Sequence, residues 1–291
     1  MNYSYPLFRP PSEAASFIVQ LSYGCSSNTC QFCGMYKSVK YSKRNVEDVI
    51  AEIKNIPDYY RNDIKRIFIA DGDPIHSGFE VLKTLVVFLN RFFPNLQRIS
   101  AYALPQSVLK LTEPELEILN KLKLKLFYMG LETGSDELYK FISKKGSVED
   151  LINACLLIKK TGGKTSITAV LGLGGKDFTD IHAEETAKAV NKASPDFFSL
   201  LTLIYGGNDK YIEKIKLLSR REIMLEMKKI ISNIESKTIF RSNHISNLAM
   251  LSGVLPKDKN KLIEEIDYVI QKNTDNADFI KPPQFDGESG Y

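Results

Sequence analysis

Tyr23-Gly24-Cys25-Ser26-Ser27-Asn28-Thr29-Cys30-Gln31-Phe32-Cys33-Gly34-Met35-Tyr36 is the stretch on which both fold and chemistry turn. Three of the chain's four cysteines lie in it, spaced C-x4-C-x2-C. A disulfide-stapled secreted protein spreads its cysteines to close long loops. A tight cluster in a cysteine-poor chain points instead to metal ligation in a reducing compartment. The apolar, β-prone run Phe17 to Tyr23 leads into the cluster and sets the thiols on a loop just after a strand. Three thiolates can hold three irons of a cubane and leave the fourth iron open to a ligand. The same residues allow another reading. Cys30 and Cys33 form half of a structural zinc site, which Cys25 and a distant histidine would complete, although no second C-x2-C or H-x3-H occurs in the chain.

Outward from the cluster, short apolar runs alternate with amphipathic helical patterns. Arg66 to Ala70, Arg98 to Leu104, Leu124 to Leu131, Thr165 to Leu173, Asp196 to Ile204 and Thr238 to Ser242 read as strands, the last of them as the closing one. Between them, helical spacing appears around Val46–Ile56, Val81–Phe92, a start near Thr112-Glu-Pro-Glu, Val148–Lys160, Asp180–Ala193 and Ser219–Ile234. Lys257–Lys272 closes the series. Such βαβα alternation predicts a parallel sheet covered by helices. Six or seven strands suit an incomplete (β/α)6-type barrel of parallel strands better than a closed eight-stranded one. In such a barrel the loop after the first strand lies at the carboxyl-terminal mouth, where active sites are built. We expect a core over residues 1–206, with an arm at 1–16. Residues 207–291 then form a short C-terminal strand and helix extension on the same domain, ending in the aperiodic tail Pro282 to Tyr291.

Composition bounds the alternatives. The chain has 291 residues, 43% of them hydrophobic, enough for one large α/β domain. Its 39 basic and 35 acidic residues give a net charge of +4, too balanced to indicate nucleic acid. The N-terminal residues lack a basic segment followed by an apolar run, and no apolar stretch reaches the roughly 18 residues that span a bilayer. The expectation is a soluble, cytoplasmic protein with no membrane contact.

Three further segments fall at strand ends. They are Asp71-Gly72-Asp73-Pro74, Gly130-Leu131-Glu132-Thr133-Gly134-Ser135 and Leu171-Gly172-Leu173-Gly174-Gly175. Taken with the cysteines and the aromatic Phe32 just before the last of them, they resemble the radical S-adenosylmethionine (SAM) superfamily. The usual cysteine spacing there is C-x3-C-x2-C, so this loop is one residue longer in its first gap. Asp71-Gly72-Asp73-Pro74 resembles the Gly-Gly-Glu-Pro-like turn that binds the SAM amino group. Glu132 would sit beside the ribose or methionine part, and Gly172 and Gly174 near adenine. Ser135 with Asp136 and Glu137 also makes a good helix start. The segment Phe240-Arg241-Ser242-Asn243-His244 is similar to one in uncharacterised members of this length. Arg241 could bind a carboxylate or phosphate there, and His244 could bind substrate or transfer a proton.

The resemblance implies a 4Fe–4S cluster on Cys25, Cys30 and Cys33, and SAM bound at the open iron. It implies a one-electron donor such as flavodoxin or ferredoxin, an anaerobic metabolism, and a 5′-deoxyadenosyl radical that takes hydrogen from a substrate. Only Cys155 remains for a second cluster, which speaks against sulfur insertion from an auxiliary cluster and against peptide modifiers with cysteine-rich extensions. The expectation is that no cobalamin-binding domain stands at the N-terminus. The expected substrate is a small molecule or nucleoside-like compound. Rival readings are a non-catalytic iron–sulfur or zinc protein, and an activase acting on a partner protein. Cys155 reads as a core residue, His182 as a surface residue at a helix start, and His76 as a residue near the mouth.

Overall fold

A computed structural model describes residues 2–283 of the chain. The tail read from the sequence lies almost wholly outside them. The first half runs β1 (Phe17–Gln20), β2 (Ser22–Tyr23), β3 (Ser42–Lys43), α1 (Val46–Lys54), α2 (Asp58–Arg61), β4 (Arg66–Ala70), α3 (Phe79–Phe92), β5 (Arg98–Tyr102), α4 (Pro105–Val108), α5 (Glu113–Lys121) and β6 (Leu124–Glu132). There follow α6 (Asp136–Phe141), α7 (Val148–Lys160), β7 (Lys164–Leu171), α8 (Gly175–Ala193), β8 (Phe197–Thr202), α9 (Asp209–Ile212), α10 (Arg220–Ser232), β9 (Thr238–Arg241), β10 (Ser252–Leu255) and α11 (Lys259–Lys272). Eight strands form a mostly parallel sheet in the order β1-β4-β5-β6-β7-β8-β9-β10, as an incomplete barrel requires.

By packing, the chain falls into two compact units interleaved in sequence. The first comprises residues up to Asn28, Met35–Met129 and Asn153–Thr165. Its central strand β4 buries Ile67, Phe68, Ile69 and Ala70 completely, as a parallel strand covered on both faces should. Helix α5 starts on a full capping box: the Thr112 side chain accepts from the Glu115 amide while Glu115 reaches back to the Thr112 amide. Before β1 the chain is pinned by Glu13, a fully buried carboxylate in the 3-10 turn Pro11–Glu13. It accepts 2.7 Å hydrogen bonds from Arg98 on β5 and Tyr128 on β6, and another from Ser16.

The second unit comprises Thr29–Gly34, Gly130–Ile152 and the chain from Ser166 onward. Here α8 and α10 pack together, as do α10 and α11. Leu138, Ile142, Val170, Leu173, Leu203 and Tyr211 form a buried cluster, with Phe32 of the cysteine loop packed against it. Helix α8 begins at Gly175, five residues before the expected Asp180, because Lys176 to Thr179 contain no breaker and Phe178 packs on that same cluster. The expectation that Thr238 to Ser242 closes the sheet is corrected. Ser252–Leu255 adds an antiparallel edge strand, β10, invisible in sequence because four residues with a central glycine show no alternation.

Candidate functional site

The first unit carries Cys25 and the turn after β4. Gly72 sits directly on the cysteine: a Cβ built there would lie 2.5 Å from Cys25 Cβ and 2.8 Å from its Sγ, so only glycine fits. The Gly72 amide donates to the Gly24 carbonyl at 2.9 Å, which locks turn and loop together. Asp73 is fully buried and acts as a hub. Its Oδ2 accepts from Ser26 Oγ at 2.7 Å and Ser107 Oγ at 2.6 Å, and its Oδ1 accepts from the Leu104 amide at 3.1 Å. Three of its roughly four acceptor positions are thus taken by protein donors, tying the cysteine loop to the ends of β4 and β5. Burial nevertheless holds its carboxyl above the usual range.

Asp71 is buried in a left-handed conformation at φ 73°, and its Oδ2 lacks a hydrogen-bond partner. Burial pushes its carboxyl up to about 7, against the opposing pull of hydrogen bonds from Gln20 and Tyr36 and of the Arg44 charge. A buried carboxyl oxygen left open is a natural acceptor for an ammonium group. Tyr41 stands close enough to Asp73 and Cys25 for their charges to add to the burial that lifts its phenol to about 12. His76 lies 4.0 Å from Asp73 and lines a cavity of about 280 Å³ with Lys43, Ser107 and Lys110.

The second unit carries Cys30 and Cys33. The Gln31 amide donates to Ile142 O at 2.8 Å, and Asn208 Nδ2 donates to Phe32 O at 2.7 Å, so the loop is held from two sides. Glu132 ends β6 at φ 62° and folds its carboxylate back over Gly130, where any side chain would collide with it. Lys144 Nζ pairs with Glu132 Oε1 at 3.2 Å, both side chains being largely buried. Burial pulls the Lys144 ammonium down, but Glu132, Tyr139 and Cys30 together raise it well above the usual lysine range. The Lys144 ammonium is thus held in its charged form within electrostatic reach of the Cys30 thiol. Sequence reading missed Lys144, because one lysine of a Lys-Lys pair after a helix carries no local signal.

Gly172 ends β7 at φ 73°, a conformation that favours glycine, and its amide donates to Glu226 Oε1 at 2.7 Å. Gly174 caps α8 and packs against Phe178. His182, expected at the surface, is fully buried in mid-helix, because α8 starts earlier and its inner face carries the histidine. Beyond β9, Arg241 lays its guanidinium over the Phe197 ring at 4.9 Å. Burial lowers the His244 pKa, and its Nδ1 lies 2.8 Å from Ser246 Oγ. Ser246 and Asn247 are committed to β8, the first accepting from the Thr202 amide and the second donating to Leu200 O. Ser246 and Asn247 are therefore scaffold, while Arg241 rests against β8 and His244 turns to Ser246. Cys155 is buried, as expected.

None of Cys25, Cys30 and Cys33 forms a disulfide, and each is partly exposed. Among the described residues no three histidine, cysteine or acidic side chains converge on one point as a single-ion site. A cubane asks for something else, since it takes each thiolate on a different iron. The general model of this kind of protein matches residues 19–190, which spans the cysteine loop and every motif through α8. The chain belongs to the radical SAM superfamily.

Radical SAM enzymes carry a 4Fe–4S cluster and SAM, and they are catalytic. This member is 22% identical over 246 residues to the ribosomal protein uS12 methylthiotransferase RimO of Clostridioides difficile, covering 78% of this chain and 53% of that protein. It is 26% identical over 180 residues to a putative methylthiotransferase of Methanocaldococcus jannaschii, covering 57% and 38%. The chain thus spans about half the length or less of the curated relatives it matches. In fold it is similar to coproporphyrinogen III oxidase of Escherichia coli, with a TM-score of 0.56, 18% identity, and coverage of 75% of this chain and 51% of that one. Methylornithine synthase gives a TM-score of 0.53 at 14% identity, covering 92% and 83%. No helix among the described residues is long and apolar enough to cross a membrane.

The residues of this radical SAM chain fit both groups. Three partly exposed thiols share one loop, a glycine lets the next strand end approach the first thiol, and a buried carboxyl with an open oxygen stands beside that glycine.

Proposed function

We propose that Cys25, Cys30 and Cys33 hold the cluster and that SAM is bound by Asp71, Gly72, Asp73, Glu132, Gly172 and Gly174. The observation that carries this is the contact of Gly72 with Cys25, which allows no side chain between the cysteine loop and the Asp71-Gly72-Asp73-Pro74 turn. When bound, the two groups supply reductive cleavage of SAM to a 5′-deoxyadenosyl radical that removes hydrogen from the substrate. The chain's own residues do the placing. Asp71 offers its open oxygen to the amino group. Asp73 holds the turn against the loop through Ser26 and Ser107. Lys144 offers a charge-fixed ammonium, shared with Glu132, to a carboxylate near Cys30.

Residues 1–206 supply this core, with residues 207–291 as an extension carrying Arg241 and His244 toward substrate. The substrate we favour is a small or nucleoside-like molecule, with flavodoxin or ferredoxin as electron donor in a cytoplasmic setting.

The test is anaerobic reconstitution, reduction and addition of SAM, followed by quantitation of 5′-deoxyadenosine. Cleavage by the unaltered protein, abolished by alanine at any one of the three cysteines, supports the proposal. Zinc in place of iron, with no cleavage, refutes it.

A further inference from the structure

A buried polar chain lies behind the two strand-end loops of the second unit, and its side chains are not among the proposed ligands. Glu226 on α10 is buried. Its Oε1 accepts from the Gly172 amide at 2.7 Å and its Oε2 accepts from the Thr179 hydroxyl on α8. One turn further along α8, His182 is fully buried, with Nε2 3.8 Å from Glu226 Oε1 and Nδ1 2.9 Å from Thr133 Oγ1. Four residues on, Thr186 Oγ1 accepts from the Gly134 amide at 2.9 Å. The chain of contacts therefore runs from the loop after β7, through α10 and α8, to the loop after β6.

Burying a carboxyl and an imidazole is costly where aliphatic side chains would pack at no such expense. Burial lifts Glu226 to about 7 and drops His182 to about 4, so the fold opposes the charged form of each. Core filling does not account for such a pair. What it does locally is plain from the geometry. Gly172 is in the left-handed region that glycine adopts readily; its carbonyl accepts from the Gly175 amide and its own amide is held by Glu226. Thr133 directly follows Glu132, so the hydroxyl facing His182 and the Gly134 amide on Thr186 fix the backbone that aims the Glu132 carboxylate.

We propose that Glu226 and His182 are positioning residues for SAM, setting the Gly172 loop and the Glu132 loop at one fixed spacing. This rests on the reading that Gly172 and Glu132 bind SAM. Neither side chain touches the cofactor. Glu226 acts through the Gly172 amide, and His182 acts through Thr133.

The experiment uses the reconstituted protein and three substitutions, Glu226→Gln, Glu226→Leu and Thr179→Val. SAM affinity is measured by calorimetry, iron content by assay, and hydrogen exchange of the peptide covering residues 170–175 without SAM. Gln keeps an acceptor for the Gly172 amide, so SAM affinity should stay within about twofold and exchange should stay slow. Leu removes the acceptor, so the SAM dissociation constant should rise about tenfold, the factor expected for one buried hydrogen bond, with iron content unchanged and exchange faster. Thr179→Val perturbs the partly exposed end of the same network. Should Glu226→Leu fail to fold, this variant decides alone, with an expected loss of about threefold. Unaltered SAM affinity in whichever of these two variants folds overturns the inference, as does a Gln variant as weak as Leu. If the unaltered protein binds iron but no SAM, the underlying reading falls and the inference falls with it.

Discussion

Replacing Gly72 by alanine tests the join between the cysteine loop and the strand-end turn with one methyl group. The added carbon would lie 2.5 Å from Cys25 Cβ and 2.8 Å from Cys25 Cα and Sγ. Ordinary carbon contacts begin near 3.5 Å, so turn and loop must part by about 1 Å. The obstacle is partly backbone, so a side-chain rotation cannot relieve it. Gly72 has an ordinary backbone conformation, and alanine there adds no φ strain that would blur the result. Overpacking of this size costs about 1–3 kcal/mol, and the global fold should survive it with a melting temperature lowered by a few degrees. The local effect is larger. A thiolate displaced by about 1 Å is off by nearly half an Fe–S bond, and misplacement on that scale costs on the order of a hundredfold in rate. Reconstituted Gly72→Ala should therefore be folded by circular dichroism, hold less iron per chain, and form 5′-deoxyadenosine about a hundredfold more slowly. A variant with full iron and full SAM cleavage would falsify the claim that this contact sets the cluster against the SAM turn.

Four other outcomes are expected. Asp71 is 1% exposed and lifted from 3.8 to about 7, so ionising it in the fold costs about 4 kcal/mol more than in water. The native state thus binds the extra proton between those values, and stability falls as pH rises through that window; Asp71→Asn should show a shallower fall in urea midpoints from pH 4 to 8 and be the more stable form at pH 8. Lys144→Met strands the Glu132 carboxylate and should cost about 3 kcal/mol in denaturant titration, with at least half recovered when Glu132→Gln is added; no recovery would mean that the pair is not what was lost. Glu13→Ala breaks the buried link to Arg98 and Tyr128, and because Arg98 keeps partial exposure the loss should be about 2 kcal/mol, read as early proteolysis of the N-terminal arm. Cys155→Ala should leave iron content and SAM cleavage unchanged while lowering stability by about 1 kcal/mol, as for trimming a buried side chain; loss of iron would give Cys155 a ligand role.

What the sequence determined was the order of parts. Local patterns are carried by adjacent residues, so the strand candidates, the capped helix start at Thr112 and the cysteine loop after the first strand were all readable from it. The motifs at Asp71 to Pro74, Gly130 to Ser135 and Leu171 to Gly175 were legible for the same reason: each is a run of neighbours at a strand end. Tertiary structure alone decided which polar groups are spent on scaffold and which stay open. Asp73 gives its oxygens largely to Ser26, Leu104 and Ser107, residues up to 47 positions away. Asp71, two residues earlier in a left-handed conformation, is buried with one oxygen left open. His182 and Glu226 lie 44 positions apart by number and give no joint signal until α8 and α10 pack. The same holds for Lys144, whose meaning comes from Glu132 and Cys30 rather than from its neighbours. Burial makes those distinctions, and burial is a property of packed elements that no single segment contains.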